Sequence, residues 1–459
     1  MSTLARNRSA RWTVVAILLT GALAVVPSAP AAESELEREF RSVQRGIQTQ
    51  LKNKNREQRL AAVKKLEAFP ILESAKLLLL TGMASGDEEV RRASYETLLK
   101  FKEDQEIGLY LALAVDKDLK RGAVDEGTCG ALGVLLASKN PNLERKADQL
   151  LVTAASTPNT SGLLLLVSVA DELGSGTTEN RLSALLKLRR LPGFERHFAF
   201  RRAVTQGLMR VRQVEAVSAI VQSLATAEGE IRADILRYLT LISGQQIGPE
   251  PGLWADWWKT NQANFKFAEQ AQPLAAGRAK VAAQSVNSYY GLPLLASRML
   301  FIMDTSGSMR GARSDAAKRE LIRAIAELPD STYFSVLVFN SRVAVWQPQL
   351  VEATSENKDA ACRFVADQTL AANTSSYDAL EAALTFDAEA IYFLTDGAPY
   401  GGKISQPEQI VTAITGLNRL RRMTINSIGI GVGKGGNRFD TFLKSLAANN
   451  YGEYIRVDE

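Results

Sequence analysis

The chain has 459 residues, a formal net charge of +5 and 23% charged residues. That length exceeds one ordinary core and predicts two or three domains. A single histidine, His197, excludes any site needing two imidazoles, and Cys129 and Cys362 have no metal-ligand or redox partner nearby in sequence, so they read as buried free thiols.

At the N-terminus Arg6, Arg8 and Arg11 precede an apolar run from Trp12 to Val26, and PSAPAA then offers Ala29 and Ala31 as small residues for cleavage. This order predicts a secretory signal peptide over residues 1–31; the alternative is an uncleaved anchor, for which the run is short. The protein is therefore expected outside the cytoplasm, in a periplasm, on a cell surface or secreted, and at a membrane only through that segment. Without those three arginines the charge excess falls to roughly +2, and no basic stripe with interleaved aromatics follows. Nucleic acid is not an expected partner.

From about Glu33 to Phe267 apolar residues recur at three and four with sparse prolines and short breaks, which predicts helix nearly throughout. RLAAVKKLEAF (Arg59 to Phe69) lies over RRASYETLLKF (Arg91 to Phe101) at an offset of about 32, and RRAVTQGL near Arg201 lies over RADILRYL near Arg232 at about 31. Such periods imply paired helices that bury their apolar faces only by stacking. GDEEVRRASYETLLKF joins an acidic turn, an arginine and an apolar helix, and resembles a HEAT-type repeat. The resemblance implies an α-solenoid over residues 33–267, although Thr128 to Leu188 match the period poorly. Solenoid surfaces commonly hold a partner, so a second protein partner is expected there. His197, in FERHFAF, reads as a helix-surface or packing residue. Trp254, Trp257 and Trp258 fall at i, i+3 and i+4 on one helix face, either a stacking platform or a cap on the last repeat, and the terminal position favours the cap.

Residues 268–288 are rich in alanine and small polar residues without an apolar stripe, and read as a linker. Residues 289–459 change to alternating strand and helix. RMLFIMD is followed by a helix from Ser314 to Leu328, YFSVLVFN by helices through Ala360 to Asp367 and from Tyr377 to Leu384, and EAIYFLTDG by a helix from Pro407 to Leu420. TINSIGIGV, a helix from Phe439 to Ala448 and EYIRV complete the series. Short apolar strands between amphipathic helices predict a mostly parallel sheet covered on both faces, with ligands beyond the strand C-termini.

Three strand-end segments carry oxygen side chains: Asp304, Ser306 and Ser308 in FIMDTSGSMRG, Thr374 in ANTSSYDAL, and Asp396 in FLTDGAPY. Strand-end loops converge on one sheet edge, so these groups can share a site. Hard oxygen donors without sulfur or imidazole suit Mg²⁺ or Mn²⁺ rather than zinc. Two carboxylates neutralise such an ion and three hydroxyls complete its coordination, leaving a position for an outside carboxylate. Gly307 is expected to let the first loop turn tightly. A turn whose Asp and Ser cap the next helix would explain this stretch alone, but it leaves Thr374 and Asp396 unexplained.

D-x-S-x-S, a later threonine before YDAL, and T-D-G after an apolar strand together resemble the metal-ion-dependent adhesion site of von Willebrand factor type A domains. YYGLPLLASRMLFIMDTSGSM also resembles bacterial proteins that join helical repeats to such a domain. The resemblance implies a multidomain chain, an α-solenoid followed by a doubly wound, Rossmann-like α/β domain. It also implies direct metal binding by Ser306, Ser308 and Thr374, with Asp304 and Asp396 acting mainly through waters or as an alternative direct ligand. The family often has two glycines before the threonine; here Ala372 and Asn373 stand there.

Gly431, Gly433 and Gly436 form G-x-G-x-x-G after a strand, with Asp458 about twenty residues on, and mimic a dinucleotide fingerprint. A dinucleotide fold needs further strand and helix units after the acidic residue, so no such cofactor is expected. A serine triad would have to use His197 in the helical region, and no G-x-S-x-G is present. The sequence thus predicts an exported, non-enzymatic binding protein that holds a partner's Asp or Glu through Mg²⁺ or Mn²⁺. A metal-dependent envelope hydrolase and a scaffold with a vestigial site are the alternatives.

Overall fold

The computed structural model describes residues 34–156, 160–175, 181–267, 287–431 and 437–458. The predicted signal segment, nearly all of the linker and most of the G-x-G-x-x-G stretch lie outside the described residues. The N-terminal part is helical: α1 (Glu35–Leu51), α2 (Arg56–Leu66), α3 (Leu72–Leu77), α4 (Glu88–Lys100), α5 (Gln105–Arg121), α6 (Glu126–Ala137), α7 (Pro141–Ser156), α8 (Thr160–Ser175), α9 (Arg181–Arg189), α10 (Phe198–Arg210), α11 (Val214–Leu224), α12 (Gly229–Ser243) and α13 (Pro251–Asn261). Helices start where short polar side chains satisfy orphan N–H groups. Ser34 and Glu37 form a capping box on α1, and Asn55, Asp87, Asp104 and Asp125 cap α2, α4, α5 and α6.

The even-numbered helices from α2 to α12 pack in sequence as one ladder. Arg59 of α2 donates to Asp87, the N-cap of α4, at 2.9 Å, and Arg91 of α4 pairs with Glu126 at the start of α6. Arg59 and Arg91, 32 residues apart in the aligned segments, thus make equivalent contacts with an acid at the start of the next ladder helix. The period fades near Thr128 for a physical reason. From Gly127 to Ala137, α6 is buried at nearly every position, so it is apolar all round and has lost the amphipathic signature. Trp254 and Trp258 are buried on α13, and Trp258 Nε1 donates to Ser218 Oγ of α11 at 2.9 Å, so the tryptophans cap the array.

The C-terminal part opens with a hairpin, β1 (Ser288–Tyr289) and β2 (Leu292–Pro293), which sequence periodicity did not signal. The main sheet contains β3 (Arg298–Asp304), β4 (Tyr333–Phe339), β7 (Ala390–Thr395), β8 (Thr424–Ile430) and β9 (Tyr454–Val457), parallel in the order β4-β3-β7-β8-β9. Two short edge strands, β5 (Val343–Val345) and β6 (Val351–Glu352), pair antiparallel with β4. Helices α14 (Ala312–Ala326), α15 (Ser355–Ala366), α16 (Ser376–Ala383), α17 (Pro407–Arg421) and α18 (Arg438–Asn449) cover the sheet, giving one apolar cluster on each face. Strand order reverses between β3 and β7, which creates a crevice beyond their C-terminal ends.

The opposite, N-terminal ends of the strands rest on the helical ladder. Arg202 of α10 is fully buried; its Nε donates to Asp234 Oδ2 at 2.8 Å, and its Nη1 donates to the Arg422 carbonyl at 2.6 Å and to Thr424 Oγ1 at 2.9 Å. Arg422, at φ 53° after α17, reaches back to Asp171 and Gln206, each at 2.5 Å. Glu389, just before β7, completes the start of α12, where Glu228 supplies no side-chain cap. Its Oε2 accepts from the N–H groups of Ser297 at 3.3 Å and Glu230 at 3.4 Å. Gly229, at φ +55°, leaves room for that carboxylate: a Cβ there would lie 2.1 Å from Oε2.

Candidate metal centre

Asp304, the last residue of β3, is 1% exposed. Its Oδ1 accepts the Ser306 N–H at 2.7 Å and its Oδ2 accepts the Thr395 hydroxyl at 2.5 Å. Because Thr395 ends β7, this bond ties together the two strands that flank the crevice. Burial is the main influence on Asp304 and pushes its carboxyl up to about 6; the bonds from Ser306 and Thr395 oppose the rise, and the charge on Asp396 adds to it.

Ser306 and Ser308 place their hydroxyl oxygens 2.9 Å apart, and Ser308 Oγ donates to Asp396 Oδ1 at 2.8 Å. The three side chains form a continuous arc from the end of β3 to the loop after β7. The two serines, spaced by two, turn their hydroxyls to the same side of the loop. Gly307 does not supply the tight turn: among the described residues of this loop, the left-handed glycine is Gly311, at φ 81°. Gly307 lies in a short 3₁₀ turn, Gly307–Met309, and a Cβ there would make only ordinary contact with the Ala371 carbonyl at 3.7 Å.

Thr374 reaches the same edge through the backbone. Ser306 bridges Ala371, the Ala371 N–H donates to the Thr305 carbonyl at 3.0 Å, and Thr374 exchanges two main-chain bonds with Tyr400 at 2.8 and 3.0 Å. The Thr374 hydroxyl is not part of the arc of bonds joining Ser306, Ser308 and Asp396. The departure at Ala372 and Asn373 is conformationally small. Asn373 sits at φ 64°, the left-handed region that asparagine tolerates better than other residues with a Cβ. The turn that glycine would make is kept.

Three residues at this edge were not singled out from the sequence. Thr395 holds Asp304, and its position before Asp396 in T-D-G was the available signal. Tyr400 is 72% exposed beside Thr374. Arg313, in the first turn of α14, places Nη1 3.2 Å from Asp396 Oδ2 and 3.4 Å from the Ser308 carbonyl, and nothing in the sequence marks it.

The donor set fits a hard divalent cation. Two carboxylates bring a charge matched to a dication, and each serine oxygen has lone pairs to turn toward an ion. Among the described residues no cluster of three or more His, Cys, Asp or Glu could hold a metal. Cys129 and Cys362 are free thiols, and burial pushes Cys129 up to about 12.

Residues 297–455 match the von Willebrand factor type A domain family. The C-terminal sheet is a type A domain. The chain is 29% identical over 201 residues to inter-alpha-trypsin inhibitor heavy chain H3 of Bos taurus, an alignment covering 38% of this chain and 21% of that protein. It is 28% identical over 266 residues to heavy chain H4 of Homo sapiens, covering 52% of this chain and 26% of that one. The chain therefore spans about a fifth to a quarter of the length of these curated relatives, which are vertebrate proteins rather than bacterial ones. Among solved structures it is similar to a von Willebrand factor type A protein from Catenulispora acidiphila, with 22% identity, a TM-score of 0.31, and 35% of this chain and 38% of that chain covered. A second is the hypothetical protein BatB from Bacteroides thetaiotaomicron, with 18% identity, a TM-score of 0.28, and 35% and 90% covered. Among the described residues no helix is long and apolar enough to cross a membrane.

Proposed function

We propose that the type A domain holds Mg²⁺ or Mn²⁺ through Ser306, Ser308 and Thr374, with Asp304 and Asp396 balancing its charge, and captures a partner protein through an exposed Asp or Glu. The observation that carries this reading is the bonded arc from Ser306 through Ser308 to Asp396, set at the crevice between β3 and β7 with Asp304 behind it. Two serine hydroxyls two residues apart meet at 2.9 Å, and the second of them donates to the Asp396 carboxylate just beyond β7, which gathers three oxygen side chains in one place. Asp304 has both oxygens engaged by Ser306 and Thr395, which suits a carboxylate that steadies the site from behind.

A bound divalent ion supplies a hard electrophilic position that accepts one oxygen of an outside carboxylate. The chain's own residues do the rest. Ser306, Ser308 and Thr374 present oxygens without adding charge, so no further anion opposes an incoming carboxylate at the ion's open position. The rim loop Pro399 to Pro407 supplies selectivity, with Tyr400 as its exposed aromatic contact. The helical ladder holds the domain by its far edge. In this reading the protein is a non-enzymatic interaction module working outside the cytoplasm, as the N-terminal sequence implies. The vertebrate relatives are named as heavy chains of an inhibitor, which favours a role in association.

The test is retention of partners from extracellular or envelope extract by wild-type protein with Mg²⁺, by wild type with chelator, and by Asp304→Ala. A partner held only by wild type with Mg²⁺ is the expected result. An identical set under all three conditions would sink the reading and move recognition to the helical array.

A further inference from the structure

Arg313 stands at the mouth of the site with its side chain 31% exposed, whereas the Asp396 side chain it pairs with is 2% exposed. The two oxygens of Asp396 are divided. Oδ1 accepts from Ser308 and closes the hydroxyl arc, while Oδ2 faces the guanidinium at 3.2 Å, and the same Nη1 lies 3.4 Å from the Ser308 carbonyl. Arginine remains charged at any physiological pH, and its planar fork matches a carboxylate in two-point geometry. A fixed positive charge therefore shares a buried carboxylate with the position proposed for the cation. Two cations drawing on one carboxylate weaken each other's hold, and the effect is reciprocal.

We propose that Arg313 is a built-in competitor for the divalent cation and, when it leaves Asp396, a second anchor for the partner's acid. This rests on the cation reading above. The first consequence is that Arg313 lowers metal affinity, because its guanidinium draws on the carboxylate charge that would balance the ion. The second concerns ligand class. The released guanidinium stays on the first turn of α14, at the rim, within a side chain's length of the hydroxyl arc. There it pairs with a carboxylate next to the one taken at the centre. The favoured ligand is therefore an acidic segment with two neighbouring carboxylates rather than an isolated Asp or Glu.

The experiment measures Mn²⁺ binding by titration calorimetry to full-length wild type, Arg313→Ala, Arg313→Lys and Asp304→Ala. Binding of a fluorescein-labelled tetra-aspartate peptide at saturating Mn²⁺ is then measured by anisotropy. Arg313→Ala is expected to bind Mn²⁺ about fivefold or more tightly than wild type, and to bind the peptide about fivefold or more weakly. Arg313→Lys, which restores the charge but not the fork, is expected to bring Mn²⁺ affinity back toward wild type and to recover the peptide only in part. Unchanged or weaker Mn²⁺ binding in Arg313→Ala, with wild type binding and Asp304→Ala not, overturns this inference and leaves the cation reading standing. Tighter Mn²⁺ binding with unchanged peptide affinity overturns the second-anchor half. Absence of Mn²⁺ binding in both wild type and Arg313→Ala overturns both readings.

Discussion

Arg202 and Arg422 interlock across the junction of the two units: Arg202 donates to the Arg422 main-chain carbonyl at 2.6 Å, and the Arg422 side chain donates to Gln206, one helical turn from Arg202. Both guanidiniums lie over the ring of Tyr451, at 4.8 and 6.0 Å. Charges this deeply buried persist because acids and carbonyls surround them, so losing one partner costs more than the bond itself.

Arg202→Met should therefore destabilise the protein by about 3–5 kcal/mol, since it strips Glu230 of its nearby charge and removes the bond to Thr424. Arg419, which is 51% exposed and pairs with Glu126 and Asp171 at 3.7 Å each, offers the contrast. Arg419→Ala should change stability by no more than about 0.5 kcal/mol. Urea denaturation of both variants checks the ranking, and equal losses would contradict it.

Glu389 makes the junction pH-dependent. Burial above all, and then the charge on Glu230, pushes its carboxyl from 4.5 up to about 7, against the N–H bonds from Ser297 and Glu230 and the charge on Arg298. The folded chain thus holds a proton that the unfolded chain releases, and stability must fall as pH rises from about 4.5 to about 7, then level off. The loss is on the order of 3 kcal/mol. Glu389→Gln keeps the acceptor oxygen and removes the charge, so its melting temperature should exceed that of wild type at pH 8 and match it near pH 4.5. A gap that is widest in acid would reverse the sign.

Asn373 carries the turn into Thr374 at φ 64°, with Gly401 packed against its side chain. Asn373→Gly should be tolerated in both stability and Mg²⁺ response. Asn373→Val should cost about 1–2 kcal/mol, because a β-branched residue resists that backbone region. Thermal melts with and without Mg²⁺ separate the strain from any effect on the site.

Ser308 links the arc at both ends, so Ser308→Ala removes the contact to Ser306 and the bond to Asp396 without disturbing the core. Wild type at a Mg²⁺ concentration 100 times its dissociation constant should gain about 2.7 kcal/mol. The variant should lose most of that gain while its melt without Mg²⁺ stays close to wild type. An undiminished Mg²⁺ shift in Ser308→Ala would place the ion elsewhere.

The strands of the type A domain could be read from sequence because fully buried parallel strands are short, unbroken apolar runs, and FIMD and YFLTD end such runs in a carboxylate. Asp304 and Asp396 followed from that, and structure places their loops together. The edge strands β5 and β6 left no mark, since two or three half-exposed residues carry no period. Arg313 was equally silent: one arginine in a helix rich in charged residues looks like any solvated side chain until the fold sets it over Asp396. The junction around Arg202, Glu230 and Glu389 joins positions far apart in the chain, and no local pattern encodes such a meeting. Where α6 is buried on all sides, the repeat itself disappeared from the sequence although the stacking continued.

Because β3 runs from Arg298, beside the junction, to Asp304, and β7 from Ala390, next to Glu389, to Thr395, next to Asp396, each central strand has one end at the helical ladder and the other at the rim, about 20 Å apart. A pull exerted by a captured partner against an anchored array would travel lengthwise through covalent backbone. It need not shear the hydrogen bonds between neighbouring strands. Tension would reach the helical ladder through the polar contacts of Arg202 and Glu389 at the foot of the sheet.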